Sequence, residues 1–127
     1  MKRVGLVLVL VAVTVLGVDW LADLTQDRPD RVDRGSRSRI VLEVKVRHNL
    51  DPAPLARAES LWGACEHTVY QQLAEPGLVE LEAGRFLAVT EPAIGEHAWR
   101  RLQGCLEDFT IDRLYGHVVS KKDVAPA

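Results

Sequence analysis

Cys65 and Cys105 are the only two cysteines of a 127-residue chain, and both stand beside glycine in LWGACEHTVY and LQGCLEDF. Three chemistries suit two thiols. A redox pair needs both sulfurs on one C-x-x-C turn at a helix start, where the dipole lowers the thiol pKa. Neither cysteine has the other nearby in sequence, and Cys65 falls inside a helical pattern. A metal site needs neighbouring ligands. His67 follows Cys65 by two residues, which on a helix turns it roughly 200° away. His48, His97 and His117 have no histidine or cysteine three or four residues distant, so only ligands assembled in three dimensions would serve. We expect no metal and no cofactor.

The third chemistry is a disulfide between two helices, and we adopt it for Cys65 and Cys105. An oxidising compartment outside the cytoplasm would form and keep it. Gly63, Ala64 and Gly104 would then let the helices approach, because the Cα atoms must come within about 7 Å. Glycine in a helix interior costs roughly 1 kcal/mol, which suggests such a steric need. Closing the loop would contribute about 4 kcal/mol in the chain-entropy model. Against this, both cysteines lie past their helix midpoints, so antiparallel helices would offset them by up to about 8 Å. Two buried reduced thiols are the alternative.

Little else suggests catalysis. There is no G-x-S-x-G, no H-E-x-x-H and no phosphate-cradling glycine loop. Glu107, Asp108 and Asp112 gather at the end of a helix, where the dipole disfavours negative charge. Arg113 or other arginines would neutralise them; otherwise they form a recognition or cation site. Paired with His97 or His117 they would make a small hydrolase, the weakest of the functions considered. The expectation is a protein that is not an enzyme.

The charge balance is 16 Lys and Arg against 18 Asp and Glu. A phosphate-binding face usually shows as a basic excess, so no nucleic-acid partner is expected. Arginine far outnumbers lysine, and Ala, Val and Leu abound, as in proteins of GC-rich bacterial genomes.

The elements that position these residues follow an apolar N-terminus. Lys2 and Arg3 precede an uncharged run from Val4 to Val18, roughly 22 Å as a helix, or about 28 Å through Ala22. Trp20 sits where an interfacial aromatic would. Residues 1–22 are thus a signal anchor or a signal peptide, with a poor cleavage site at Val15-Leu16-Gly17. Arg28, Arg31, Arg34 and Arg37 beyond the run weigh against N-inside orientation, whereas the short basic N-tail is the usual export geometry. The expected location is the cell membrane, single-pass, with the domain outside the cytoplasm, or secreted if the signal is cleaved. Residues 23–38 carry Asp27-Arg28, Asp30-Arg31 and Asp33-Arg34 and read as a charged flexible linker, where Pro29 would kink any continuing helix.

From Arg39, Ile40, Leu42, Val44 and Val46 alternate with polar neighbours, a half-buried strand. Asp51 is placed as a cap with Pro52 at the first helical position, and the helix carries Leu55, Ala58, Trp62, Cys65, Val69 and Leu73 until Pro76-Gly77. A hairpin follows around Ala83-Gly84, with Glu82 opposite Arg85 and Leu81 opposite Phe86. A second helix bears Ile94, Ala98, Leu102, Cys105 and Phe109, and residues 114–121 form a last strand. Strand, helix, strand, strand, helix, strand over residues 39–122 is the order of a ferredoxin-like split βαβ. In that α+β fold two helices lie on one face of a four-stranded antiparallel sheet, with the first and third strands central. Residues 123–127 are a tail. No family motif is present, and a fold of this kind says little about activity.

The face left open by the helices would carry Val41, Glu43, Lys45 and Arg47, then Leu78, Glu80, Glu82, Arg85, Leu87 and Val89, then Tyr115, His117, Val119 and Lys121. Its apolar band of Val41, Leu87, Val89, Tyr115 and Val119, with His117 among them, marks a partner surface; the plainer alternative is a solvated face dotted with apolar residues. It lacks the paired aromatics of an RNA-binding sheet. The leading expectation is an envelope-tethered, non-enzymatic protein-interaction module that binds a protein, or a second copy, through this face. An extracytoplasmic sensor of small ligands or peptides is the alternative.

Overall fold

The structure is a computed structural model that describes residues 2–24, 30–48, 51–111 and 113–127. Asp27, Arg28 and Pro29 of the expected linker and Asp112 of the acidic cluster lie outside the described residues.

Helix α1 (Lys2–Leu24) is apolar on every side and buries none of its apolar window within the chain. At about 1.5 Å per residue it runs about 34 Å, more than the roughly 30 Å of a hydrocarbon core. It is long and apolar enough to be a signal or a membrane anchor.

The other elements form an α+β arrangement. They are strand β1 (Arg37–Val46), helix α2 (Leu55–Cys65), a 3₁₀ turn at Glu66–Thr68, strands β2 (Gln72–Leu73), β3 (Val79–Glu80) and β4 (Arg85–Glu91), helix α3 (Glu96–Asp108) and strand β5 (Leu114–Val124). The sheet is open and antiparallel in the order β2-β4-β1-β5, with β3 also on β4. Alternate residues of the central strands, Ile40, Leu42, Val44, Phe86 and Ala88, share one core cluster with Ala58, Leu61, Trp62 and Cys65 of α2 and Ala98, Leu102 and Leu106 of α3. Both helices therefore pack on the same face of the sheet.

Several elements differ from the sequence expectation, each for a local reason. The helix placed from Asp51 to Pro76 begins instead at Leu55, behind Pro54, whose carbonyl accepts the Arg57 and Ala58 N–H groups. Pro52 forms a bridge with Lys45 rather than opening the helix. The helix stops at Cys65, where Thr68 Oγ1 donates to the Cys65 carbonyl at 2.8 Å, and after the 3₁₀ turn the β-branched Val69 is extended at φ −131°, ψ 158°. Val69 and Leu73 still pack on the core, but from extended chain. Their place in the apolar stripe was legible; their helix was not.

The sheet has five strands instead of four because its β4-side edge is interrupted. Gln72 and Leu73 pair with Glu91 and Thr90, and Val79 and Glu80 pair with Leu87 and Phe86. Between them Gly77 turns at φ +95° and its N–H bonds the Ala74 carbonyl at 2.9 Å. The hairpin loop is also one residue longer than expected. Glu80, not Leu81, stands opposite Phe86, and the turn is Glu82-Ala83-Gly84, with Ala83 at φ 59° and Gly84 at φ 70°. Because side chains alternate along a strand, this slip reverses the faces: Leu78 is buried and Val79 is exposed.

Candidate functional site

The face of the sheet turned away from the helices is defined by register. Val41 pairs with Leu87 of β4 and Ser120 of β5; Arg39 pairs with Val89 and Lys122; Glu43 pairs with Arg85 and His117; Lys45 pairs with Tyr115. Val41, Leu87 and Val89 are half-buried, whereas Tyr115 is 40% and Val119 45% exposed. A shallow depression of about 420 Å³ lies over this surface, with Val41, Leu81, Leu87 and Val124 as its apolar part and Arg39, Ser120 and Lys122 as its polar part. Arg39 and Lys122 stand opposite each other and form no ion pair among the described residues. Further along, Lys45 Nζ pairs with Glu43 at 3.1 Å.

Part of the expected face is relocated by a β-bulge. The register shifts between Val41 and Leu42: Val41 faces Ser120 and Leu42 faces Val118, leaving Val119 as the extra residue. A bulge changes the alternation beyond it. Tyr115 and His117 therefore occupy the open face before the bulge, and Ser120, Lys122 and Val124 occupy it after. Lys121, expected there, has its ammonium 5.6 Å from the ring centroid of Trp99 on α3. Leu78 and Glu80 leave the open face for the reason given above, and Val79 and Leu81 join it.

The two cysteines are bonded. Cys65 at the end of α2 and Cys105 in α3 form a disulfide with Cα atoms 5.7 Å apart. The expected reason for the neighbouring glycines fails, because a Cβ added at Gly63 or Gly104 would meet nothing within 4 Å. Cys65 is the last residue of α2 and Cys105 lies in the last turn of α3, so the two helices are not centred on each other and their C-terminal ends meet at the bond.

The acidic cluster has a structural use. Glu107 Oε1 accepts the Val118 N–H at 3.1 Å, and Oε2 accepts from Gln103 Nε2 at 3.3 Å. It thus covers part of the edge of β5, which would otherwise offer a free donor. His117 Nδ1 lies 3.4 Å from the same Oε1. His97 Nδ1, Gln71 Oε1 and Thr90 Oγ1 are buried with no protein hydrogen-bond partner among the described residues. No group of three potential metal ligands occurs among the described residues.

One polar constellation was missed in the sequence. Ser38 is fully buried in β1; its Oγ donates to Asp123 Oδ1 at 2.5 Å and accepts the Ile94 N–H at 2.8 Å. Lys121 Nζ holds the other carboxylate oxygen at 2.6 Å. Burial alone would raise the Asp123 carboxyl, but the hydrogen bonds from Lys121 and Ser38 and the Lys121 charge outweigh it and hold it below its ordinary value. Buried completely, the Ser38 hydroxyl fastens β1 to β5 and to the segment ahead of α3. The available signal was Ser36-Arg37-Ser38-Arg39, which continues the period of two backwards from Ile40.

No family model matches the chain, and no curated protein and no solved structure is significantly similar to it.

Proposed function

We propose that the chain is a membrane-tethered, non-enzymatic interaction module of the bacterial envelope, whose ferredoxin-like domain lies outside the cytoplasm and binds a protein partner or a second copy through its open sheet face. Strands β2 and β3 act as one interrupted edge strand in that fold, which gives two strands on either side of the pairing between β1 and β4. Export is supported by α1 with its unburied apolar surface and by the bonded cysteines, since a structural disulfide suits an oxidising compartment. Cleavage after α1 would make the same domain a secreted one.

The observation that carries the reading is the apolar part of the depression on the open face, Val41, Leu81, Leu87 and Val124, of which Leu81 and Val124 are each more than 40% exposed. Exposed patches of this kind mark contact surfaces. The test is a photo-crosslinking residue at Leu87 in the full chain in its host's envelope, with Glu59 on the outer side of α2 as the control. A discrete adduct at Leu87 that is absent at Glu59, and is lost with Val41→Lys, supports the reading. No adduct at Leu87, or the same adducts at both positions, contradicts it.

A sensor is the second reading, favoured by the depression between Arg39 and Lys122. Two unpaired cations beside an apolar floor suit a small carboxylate or a peptide C-terminus. A carboxylate compound that raises Tm in the parent and not in Arg39→Gln would place the small ligand ahead of the protein partner.

A further inference from the structure

The N-terminus of α3 is capped by a residue from far outside the helix. Its own N-cap is Gly95, which has no side chain to offer. The Asp30 carboxylate fills that role: Oδ1 accepts the His97 N–H at 3.1 Å and Oδ2 the Ala98 N–H at 2.8 Å. These are two of the donors a helix start leaves unsatisfied, and the negative charge meets the positive end of the helix dipole. A Cβ on Gly95 would overlap the Cβ and Cγ atoms of Asp30, so glycine is required for the contact. Two serines extend it. Ser36 Oγ accepts the Ala93 N–H at 3.2 Å, and Ser38 Oγ accepts that of Ile94. The chain from Asp30 into β1 is thus fastened along residues 93–98.

We infer that Asp30 and the Gly95 end of α3 form a clasp that shortens the tether into a strap and holds the domain at the membrane surface. The inference rests on α1 being a membrane helix, as proposed above. Residues 25–29 are all that separate Leu24 from Asp30. A chain extended at about 3.6 Å per residue carries Asp30 no further than about 22 Å from Leu24. With the clasp open and the chain free to Ser36, the same arithmetic allows about 43 Å. Closed, the strap keeps the domain within about one domain width of the bilayer. The partner of the open face is then one presented at the membrane, and opening the clasp doubles the depth the domain can search.

The test uses the full chain and three variants, Asp30→Ala, Gly95→Val and the conservative Asp30→Asn. In micelles, tryptic cleavage after Arg31 and Arg34, both exposed, should be about tenfold faster in Asp30→Ala and Gly95→Val and intermediate in Asp30→Asn. Cleavage after Arg57 on α2 should stay unchanged, which separates clasp opening from unfolding. In vesicles with dansyl-labelled headgroups, in a Trp20→Phe background, energy transfer from Trp62 and Trp99 should fall when the clasp is removed. Equal cleavage rates at Arg31 and Arg34 would overturn the clasp. Faster cleavage with unchanged transfer would overturn its control of height. A chain that stays in the supernatant of a vesicle preparation would remove the membrane reading and the strap with it, while the micelle result would still decide whether Asp30 is held.

Discussion

The carbonyl oxygen of Leu106 lies 2.7 Å from where a Cβ on Gly116 would stand, and side-chain atoms of Leu61 and Leu42 lie 3.0 and 3.1 Å from the same point. Helix α3 therefore rests directly on the backbone of β5, with α2 and β1 closing the same gap. A methyl group there must push backbone, which does not yield as a flexible side chain would. Gly116→Ala should destabilise the domain by about 1–3 kcal/mol, read as a fall in the chemical-denaturation midpoint. An unchanged midpoint would mean that α3 sits further from the sheet.

Gly104 makes the opposite case. It lies inside α3 with nothing within 4 Å of an added Cβ. Glycine in such a position costs about 1 kcal/mol relative to alanine. Gly104→Ala should raise stability by that amount, and the paired test with Gly116→Ala, run in one denaturation series, should give changes of opposite sign.

The disulfide spans a sequence separation of 40. Its removal in a Cys65→Ser, Cys105→Ser double variant should cost about 4 kcal/mol by chain entropy. Cys65 is fully buried, so the serine hydroxyl adds a desolvation penalty, and a double alanine variant should lose less. Reduction of the parent protein with dithiothreitol should lower its urea midpoint in the same direction. A parent that melts identically before and after reduction would contradict the staple.

Asp123 links stability to acid. Its carboxyl is held low by Lys121 and Ser38 against the opposing effect of burial. A carboxyl lowered in the folded state contributes stability above its unfolded value, about 3.9. That contribution disappears as pH falls through the folded value. Asp123→Asn should be less stable than the parent at neutral pH, and the gap should close below about pH 4 as the parent loses its advantage. Urea midpoints measured across that range check it; a gap that is constant with pH would assign the effect to packing alone.

Much of this architecture was legible because burial follows short-range periodicity. Ile40, Leu42 and Val44 alternate, and their strand is central. Ala98, Leu102 and Cys105 recur at helical steps, and they sit on one side of α3. What was not legible depended on single residues that reset the period. Thr68 ends α2 through a side-chain bond to Cys65. The extra turn residue beside Ala83 exchanges Leu78 for Val79 on the open face, and the bulge at Val119 sends Lys121 to Trp99. The Asp30 clasp was hidden for another reason: its partners are the backbone N–H groups of His97 and Ala98, and backbone donors leave no mark in a sequence. Gly95 was the only trace, a glycine at a helix start where Ser, Thr, Asp or Asn would be expected.

The measurement that bears most directly on an exported, stapled and tethered domain is the intact mass of the chain from its host's membrane fraction, alkylated with and without prior reduction. The prediction is a full-length chain, two hydrogens lighter than the reduced form, that accepts alkyl groups at Cys65 and Cys105 only after reduction. Two cysteines that are alkylated without reduction would contradict both the staple and the location outside the cytoplasm.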